Sequence, residues 1–591
     1  GIVLGTPGYM SPEQALGRTV DHRTDIWSLG VVMFEMLVGH LPFSGKDDAA
    51  MLQSILTKSP RSLEHLKAPL EVELRKIIEK TLAKNPRHRY QSMAEVLADL
   101  ILLLERKPDN SPREAQSGDD VRTSIVVLPF KDVSPEHDQE YFCDGLTEEL
   151  INSLSRIKEL KVVSRTSAFQ FKGREADIRE IGSILNVHTI LEGSIRKAGN
   201  KVRITAQLVN VADGFHLWSE QFERELKDVF AIQDSIARAI ADTLALRLSG
   251  NYQTRDMRQH SYNVEAYNIY LKGRYYWNKR TVDEIKKGMH YFKKAIEKDP
   301  SYPLTYAGLA DTYLMLSVYG AFAPRLVIPK AIRAARKALA LDEKLVEARI
   351  SLACAEAVYE RRWDSAEQHF QRGIGMDSRY ATGHHWYAIN MLTPKGRFEE
   401  ALEEMRIALQ LDPISLVVNT SMGLVNYFAR RYDAAIEHYR ETLELDGNFG
   451  IAQFFLGQAY LQKGQYQRAI THLEKALRSS GDSMNILAAF GHAAAISGRE
   501  DVGLKVLNKL RKAAETRYVS AYDIATVSLG LGLREEALEW LDRAVSERAY
   551  LAIYLAVDPV MSELQEDHRF NALLKRMSLT APEAAYAAVG A

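Results

Sequence analysis

The chain has 591 residues, 46% of them hydrophobic and 26% charged, which describes an ordinary water-soluble protein long enough for several domains. Its 76 basic residues against 77 acidic ones leave a net charge of −1, so neither nucleic acid nor an anionic membrane is favoured as a partner. The two cysteines, Cys143 and Cys354, lie far apart and read as free thiols of a reducing compartment, hence a cytoplasmic protein, and no run reads as a membrane span.

The first element is GTPGYMSPEQ (Gly5 to Gln14), followed by DHRTDIWSLGVVMFEMLVGHLPF (Asp21 to Phe43). Asp25 heads an apolar run whose spacing of three and four (Ile26, Leu29, Val32, Met33, Met36, Leu37) predicts a helix with one buried stripe, and a carboxylate at a helix start is favoured by capping and by the helix dipole. Farther on, Val72, Leu74, Ile77, Ile78 and Leu82 form a second stripe, and Met93, Val96, Leu97, Leu100 and Leu104 a third.

This stretch resembles the end of a Ser/Thr protein-kinase activation segment followed by the helices of the kinase C-lobe. Ser11-Pro12-Glu13 stands where kinases carry Ala-Pro-Glu. The resemblance implies that Glu13 pairs with Arg89 in the NPRHRYQS run, and that Thr6 places a hydroxyl against the catalytic loop. It also implies that Gly8 and Tyr9, with Met10, shape the pocket beside the phosphoacceptor and that Asp25 braces the catalytic loop through backbone N–H groups. The glycine-rich loop, strand lysine, base aspartate and metal aspartate that phosphoryl transfer needs all precede Gly5 in that family. The chain is therefore expected to be the C-terminal part of a longer kinase. It is expected to hold no catalytic, cofactor or metal residues of its own, while ATP and magnesium are implied for the parent. Asp213-Gly214-Phe215 has the composition of the metal motif in the wrong order.

Lys107 to Thr123 is polar, without apolar period, and reads as a linker. A second domain follows. Ile125 to Phe130 and Leu160 to Val163 read as strands, and Asp144 as a cap for a helix through Leu146, Leu150, Leu154 and Ile157. Ile178, Ile181 and Leu185 mark another helix. Thr189 to Arg196 and Val202 to Val209 read as strands joined at Ala198-Gly199-Asn200, and Val229, Ile232, Ile236, Ile240 and Leu244 as a closing helix. This order argues for an α/β domain with a mixed sheet. VVLPF, DGLTEEL, LEGSIR, VRITAQLV and LWSEQF resemble the TolB N-terminal-like module, which implies a sensing or interaction role. Gly193-Ser194 reads either as an anion-binding turn or as a strand feature, and Cys143 either as a thiolate at a helix start or as an inert thiol.

The rest is a repeat array. Ala401, Ala435, Ala469, Gly503 and Ala537 recur every 34 residues, as do Gly423, Gly457 and Gly491, and Pro413, Gly447 and Gly481. That period is the tetratricopeptide signature. Small residues at facing positions let paired helices approach, and Met405, Tyr439, Leu473 or Leu541 fills the next gap. About eight units are expected from Val264 to Ser546, with Asp558 to Met577 as a cap over the last apolar face. Such arrays take protein or peptide ligands in a concave groove. Val417, Thr420, Leu424, Ile451, Phe454 and Gln458 are the inner positions, so either an apolar segment binds there or these side chains pack internally. His384-His385 reads as helix surface and core rather than as a metal site.

The expected fold is thus multidomain: a helical kinase C-lobe remnant (1–106), a linker (107–121), an α/β mixed-sheet domain (122–248), a second linker (249–263) and an all-α tetratricopeptide superhelix with its cap (264–580). Two functional readings follow. In one, the parent is a protein serine/threonine kinase with sensing and recruiting domains, acting on protein Ser/Thr hydroxyls. In the other, the chain is a non-catalytic scaffold with a degenerate kinase tail.

Overall fold

The computed structural model describes residues 7–581 apart from 18–19, 39, 59, 61–68, 94, 98, 101–123, 156, 158–159, 175, 199–200, 226–234, 237–238, 241, 245–262 and 482. The 107–121 linker, most of the 249–263 linker, and residues Thr6, Leu104, Gly199, Asn200, Val229 and Ile232 lie outside the described residues. Contacts divide the chain into two compact units, Gly1–Asp120 and Val121–Ala591.

The first unit is helical. A short helix, Pro12–Ala15, starts from a capping box: Ser11 accepts from the Gln14 amide while the Gln14 side chain accepts from the Ser11 amide. Helices Arg23–Val38, Asp48–Thr57 and Pro69–Thr81 follow. The long helix buries Ile26, Trp27, Val31 and Phe34, with Trp27 stacked on Phe43 at 5.7 Å. The stripe predicted from its spacing is corrected in part: Ile26 is buried and Leu29 and Met33 pack beside it, but Val32 is 40% and Met36 80% exposed, because the buried face is centred on Trp27, Val31 and Phe34. In the other two stripes Ile77, Ile78, Leu82 and Val96 are buried, whereas Met93 and Leu97 are exposed.

The second unit begins with a six-stranded mixed sheet: β1 Ser124–Val127, β2 Lys131–Asp132, β3 Lys161–Val162, β4 Thr189–Ala198, β5 Lys201–Asn210 and β6 His216–Glu225. The order is β3-β1-β4-β5-β6, with β2 paired to β4; β1 runs parallel to β3 and β4, and β4, β5 and β6 are antiparallel. β1 is fully buried, as a central strand of β-branched residues should be. Helix Glu140–Ser155 covers the sheet through Leu146, Leu150 and Leu154, and Ile236, Ile240 and Leu244 are buried in the same continuous core. The Asp144 cap is corrected. The helix starts one turn earlier, where Asp132 accepts from the Gln139 amide, and Asp144 lies inside it, bound to Lys172. Cys143 likewise sits within the first turn, buried, and desolvation pushes its thiol up, away from the thiolate. Gly193 is a strand feature: a Cβ there would collide with Phe130 and the Thr205 carbonyl.

Eight helix pairs follow. They are Val264–Asn278 with Val282–Lys298, Pro303–Val318 with Pro324–Leu341, Val346–Ala355 with Trp363–Met376, and Ala381–Tyr387 with Phe398–Leu411. The last four are Leu416–Phe428 with Tyr432–Leu445, Gly450–Gln462 with Tyr466–Ser480, Met484–Ile496 with Glu500–Ala514, and Ala521–Gly530 with Arg534–Ser546. The first helices of the third and fourth pairs widen into π-helical turns, Glu356–Glu360 and Ala388–Leu392. The 34-residue positions are contacts between paired helices: Ala401, Ala435, Ala469 and Ala537 are fully buried, and a Cβ on Gly457 or Gly491 would meet Leu473 or Val506 at 2.7 and 2.6 Å.

The first pair docks on the mixed-sheet domain. A Cβ on Gly145 would meet Leu271 at 2.6 Å, so the two helices touch where glycine allows it. Ser167 donates to Asp412 at 2.6 Å, and Arg379 donates to the Ile157 carbonyl at 2.8 Å.

The C-terminal segment does more than the cap predicted for it. Helix His568–Arg576 does pack on the last pair, with Arg569 reaching Glu535 at 2.6 Å. The three-ten turns Tyr550–Tyr554 and Pro559–Leu564, however, lie against the third to fifth pairs. Tyr550 donates to Asn390 at 2.9 Å, Tyr554 donates to the Ile389 carbonyl at 2.8 Å and stacks on Phe428 at 4.5 Å, and Trp363 donates to the Met577 carbonyl at 2.9 Å.

Candidate functional site

In the first unit two of the side chains singled out by sequence, Glu13 and Arg89, meet at the Pro12–Ala15 turn. Arg89 approaches Glu13 with two parallel hydrogen bonds, 2.5 Å to Oε1 and 2.7 Å to Oε2. Its remaining N–H groups reach the carbonyls of Ala83 (2.7 Å), Arg23 (3.1 Å) and Lys84 (3.3 Å), and its guanidinium lies 4.9 Å over Trp27. Thr24 donates to Glu13 at 3.1 Å. The arginine side chain is 0% and the glutamate 10% exposed, so the pair is buried, bidentate and fully hydrogen-bonded. Burial alone would raise the Glu13 carboxyl, but the Arg89 bonds outweigh it and hold it below the usual range.

Gly8 is buried under Leu41, whose methyl would sit 2.7 Å from a Cβ. Tyr9 closes the Pro7–Tyr9 turn, donating to Glu35 at 2.5 Å, while its carbonyl accepts from Ser28. The Glu35 bond holds the phenol proton and raises its pKa. Asp25 lies within the first turn of its helix, exposed, with no hydrogen-bond partner among the described residues. The amide cap comes instead from Asp21, which accepts from Arg23 N at 3.0 Å. The capping role expected for Asp25 is therefore corrected. Thr6 lies outside the described residues.

The sequence reading missed Glu35, Thr24 and Lys84. The Lys84 ammonium donates to the Ile55 carbonyl at 2.5 Å and lies 3.7 Å over Phe43; burial, with Arg89 adding, brings it down to about 8. None of the three has a local signal, because their partners lie 11 to 29 residues away.

In the array, His384 sits between Glu404 (2.6 Å) and the Ser378 carbonyl (2.9 Å), and His385 contacts Ser421 at 2.9 Å; both rings are buried in the helix-pair core. Of the inner positions, Thr420, Leu424 and Phe454 are buried while Val417 and Ile451 are about a third exposed, so internal packing takes most of the apolar groove expected there.

Among the described residues no three His, Cys, Asp or Glu side chains gather to hold a metal ion, and the Glu13–Arg89 pair turns its charges on each other.

Residues 2–100 match the protein kinase domain model, 121–239 the second domain of HilA/YgeH-like transcriptional regulators, and 421–483 the tetratricopeptide repeat model. A Rhizobium meliloti protein named "Putative adenylate cyclase 3" is 34% identical over 268 residues, 44% of this chain and 45% of that protein. The serine/threonine-protein kinase PknB of Mycolicibacterium smegmatis is 40% identical over 130 residues, 22% of this chain and 20% of that protein. Among solved structures, Pseudomonas aeruginosa pilF is 21% identical, covering 38% of this chain and 96% of its own at a TM-score of 0.28. A human IFIT1 dimer with PPP-AAAA is 19% identical, covering 54% and 80% at 0.37. Superpositions that loose carry no argument about this chain. The chain spans less than half the length of these curated relatives, and it joins a protein-kinase-domain stretch, similar to Ser/Thr kinases, to a mixed-sheet domain and tetratricopeptide repeats.

Proposed function

We propose that residues 2–100 form the substrate-side half of a Ser/Thr protein kinase domain, and that the parent protein transfers the ATP γ-phosphate, with magnesium, to protein Ser/Thr hydroxyls. The observation that carries this is the helix Arg23–Val38. One of its faces is buried, and the opposite stripe, Asp25, half-buried Leu29, Val32 and Met36 at intervals of four, three and four, is headed by a carboxylate without a partner among the described residues and ends in a methionine 80% exposed. An apolar stripe beneath a lone carboxylate fits a surface awaiting a loop with free N–H groups and a helix behind it. That is the place of a kinase catalytic loop. The Glu13–Arg89 pair then braces the activation segment, and Gly8 and Tyr9 shape its substrate side.

The mixed-sheet domain is read as a TolB N-terminal-like sensing module and the repeats as a protein-recruiting array, in a cytoplasmic protein. The adenylate cyclase match supports this division of labour. At 268 residues it is longer than the whole kinase-type unit of 120 residues, so it runs into the second unit, and a protein named for a different output shares that part.

The test is phosphate transfer to a basic protein substrate. The chain as given should incorporate none. The chain preceded by the N-terminal catalytic portion of the M. smegmatis kinase should incorporate it, and Asp25→Ala in that fusion should abolish most of the rate. Robust incorporation by the chain alone, or an inert fusion that is folded and binds ATP, sinks the reading and leaves the non-catalytic scaffold.

A further inference from the structure

A cavity of about 280 Å³ opens at the seam between the mixed-sheet domain and the first helix pair. One wall is the segment from Arg165 to Lys172; the other is the end of helix Val264–Asn278 with Lys279. The acids at the cavity are already taken. Lys172 Nζ lies 2.6 and 2.8 Å from the two Asp144 oxygens and 2.8 Å from Glu140, and Tyr275 donates to Glu140 at 2.8 Å. Just behind, Glu148 accepts from Arg274 Nε at 2.9 Å and from Asn278 at 3.3 Å.

Arg165 is the cation left over. Its Nε stands 3.0 Å from Glu148 without the alignment of a hydrogen bond, and its guanidinium lies 3.8 Å over the Phe169 ring. Its side chain is 21% exposed, yet no guanidinium nitrogen has a hydrogen-bond partner among the described residues. The Gln170 amide on the same wall has none either. Lys279 stands at the mouth, 43% exposed, its ammonium 4.4 Å over Tyr275 and 3.8 Å from Glu284. The cavity therefore offers donors and has spent its acceptors. A largely desolvated guanidinium that shares one carboxylate with a second arginine is under-compensated, and its planar fork matches an oxyanion.

We propose that this cavity binds a small oxyanionic ligand, a phosphorylated or carboxylated metabolite, with Arg165 as its bidentate anchor and Gln170 and Lys279 completing the hold. The volume, just below the usual range of ligand pockets of about 300–1,000 Å³, admits a compact molecule. Arg165 belongs to the mixed-sheet domain and Lys279 to the first helix pair, so the ligand ties the two together across the Gly145–Leu271 contact. The site gives the sensing module a chemical class of signal. It stands apart from phosphoryl transfer: failure of the kinase test leaves it intact, and failure here leaves that test intact.

The experiment uses the full chain, with thermal melting and calorimetric titration. Sodium phosphate and sodium succinate are the two arms, each against sodium chloride at equal ionic strength. At least one should raise Tm saturably, because a ligand that binds only the folded state stabilises it by mass action. The arm that does so assigns the phosphoryl or the carboxylate class. Arg165→Gln should weaken binding by about tenfold or more, the scale of a lost charge-assisted hydrogen bond. Lys279→Gln, at an exposed position, should weaken it several-fold and carries the test should Arg165→Gln fail to fold. No saturable binding of either anion, or equal binding by the unaltered chain and both variants, overturns the proposal.

Discussion

Glu13 and Arg89 stand 76 residues apart in sequence and satisfy one another's charge with almost no solvent left to share. Arg89→Met would strand the buried glutamate with only the Thr24 hydroxyl donating to it, at a cost of about 3–5 kcal/mol to the first unit, measured by urea unfolding. The sign of its pH dependence follows from the depressed Glu13 pKa: the contribution is full above the unfolded value of 4.5 and is lost as pH falls through the lower folded value. Asp523 behaves in the opposite sense. Burial pushes its carboxyl up to about 7 from 3.8, with Glu547 adding repulsion, so ionising it works against the fold. The repeat array should lose stability as pH rises from about 4 to 7, and Asp311, pushed up to about 6, adds to the same trend. Thermal melts at about pH 5.5 and 8 check this. Asp523→Asn should narrow the difference, and an unchanged difference would show that the ionisation lies elsewhere.

At the scale of elements, the helix pair is the unit on which stability turns. Ala435 is fully buried where helix Tyr432–Leu445 meets Leu416–Phe428, and Tyr439 one turn on fills the space over Gly423. Ala435→Leu should cost about 1–3 kcal/mol through overpacking, read from the melting of the second unit. No loss would mean that the helices do not meet there. This unit was legible because its period repeats: small residues every 34 positions mark one contact many times over. Elements that occur once were harder. The LWSEQF stretch matched a module by wording, but β6 was not read as a strand, because it is an edge strand whose buried side chain is Phe222 while His216, Ser219, Glu220 and Gln221 face solvent. The buried face of the kinase-type helix was only partly legible: Ile26 is buried and Leu29 and Met33 pack beside it, but Val32 and Met36 are exposed. Apolar residues on both sides satisfy the same three-and-four spacing, and the packing of Trp27 on Phe43 and of Ile26 beside Ile77 decides between them. Asp144 was read as a cap, since carboxylates before apolar runs usually are; Lys172, 28 residues away, is what holds it inside the helix. Of the candidate site, Glu13 and Arg89 were named in the sequence because their motifs are local, whereas Glu35, Lys84 and Arg165 owe their environments to distant segments.

At the scale of the second unit, the C-terminal segment packs back on the third to fifth helix pairs. The first helices of the third and fourth pairs widen into π-helical turns at Glu356–Glu360 and Ala388–Leu392. The C-terminal segment bonds to both turns: Arg548 donates to the Tyr359 carbonyl and Tyr554 to the Ile389 carbonyl. Ile553, Leu555, Val557 and Met561 are buried to 1% exposure or less in the same contact. The closure is thus hydrogen-bonded where the helices are irregular and apolar between. Tyr554→Ala removes the Phe428 stack, the Ile389 bond and a buried ring, and should cost about 3–5 kcal/mol. Its signature is spatial. Amide exchange should quicken together around residues 389–393, 428–431 and 550–564, segments that meet at this contact, while Gly450–Gln462 and Tyr466–Ser480 keep their protection. Quickening confined to 550–564 would mean that the repeats hold their irregular turns unaided, and the segment would then be a passenger on the array rather than the piece that closes it.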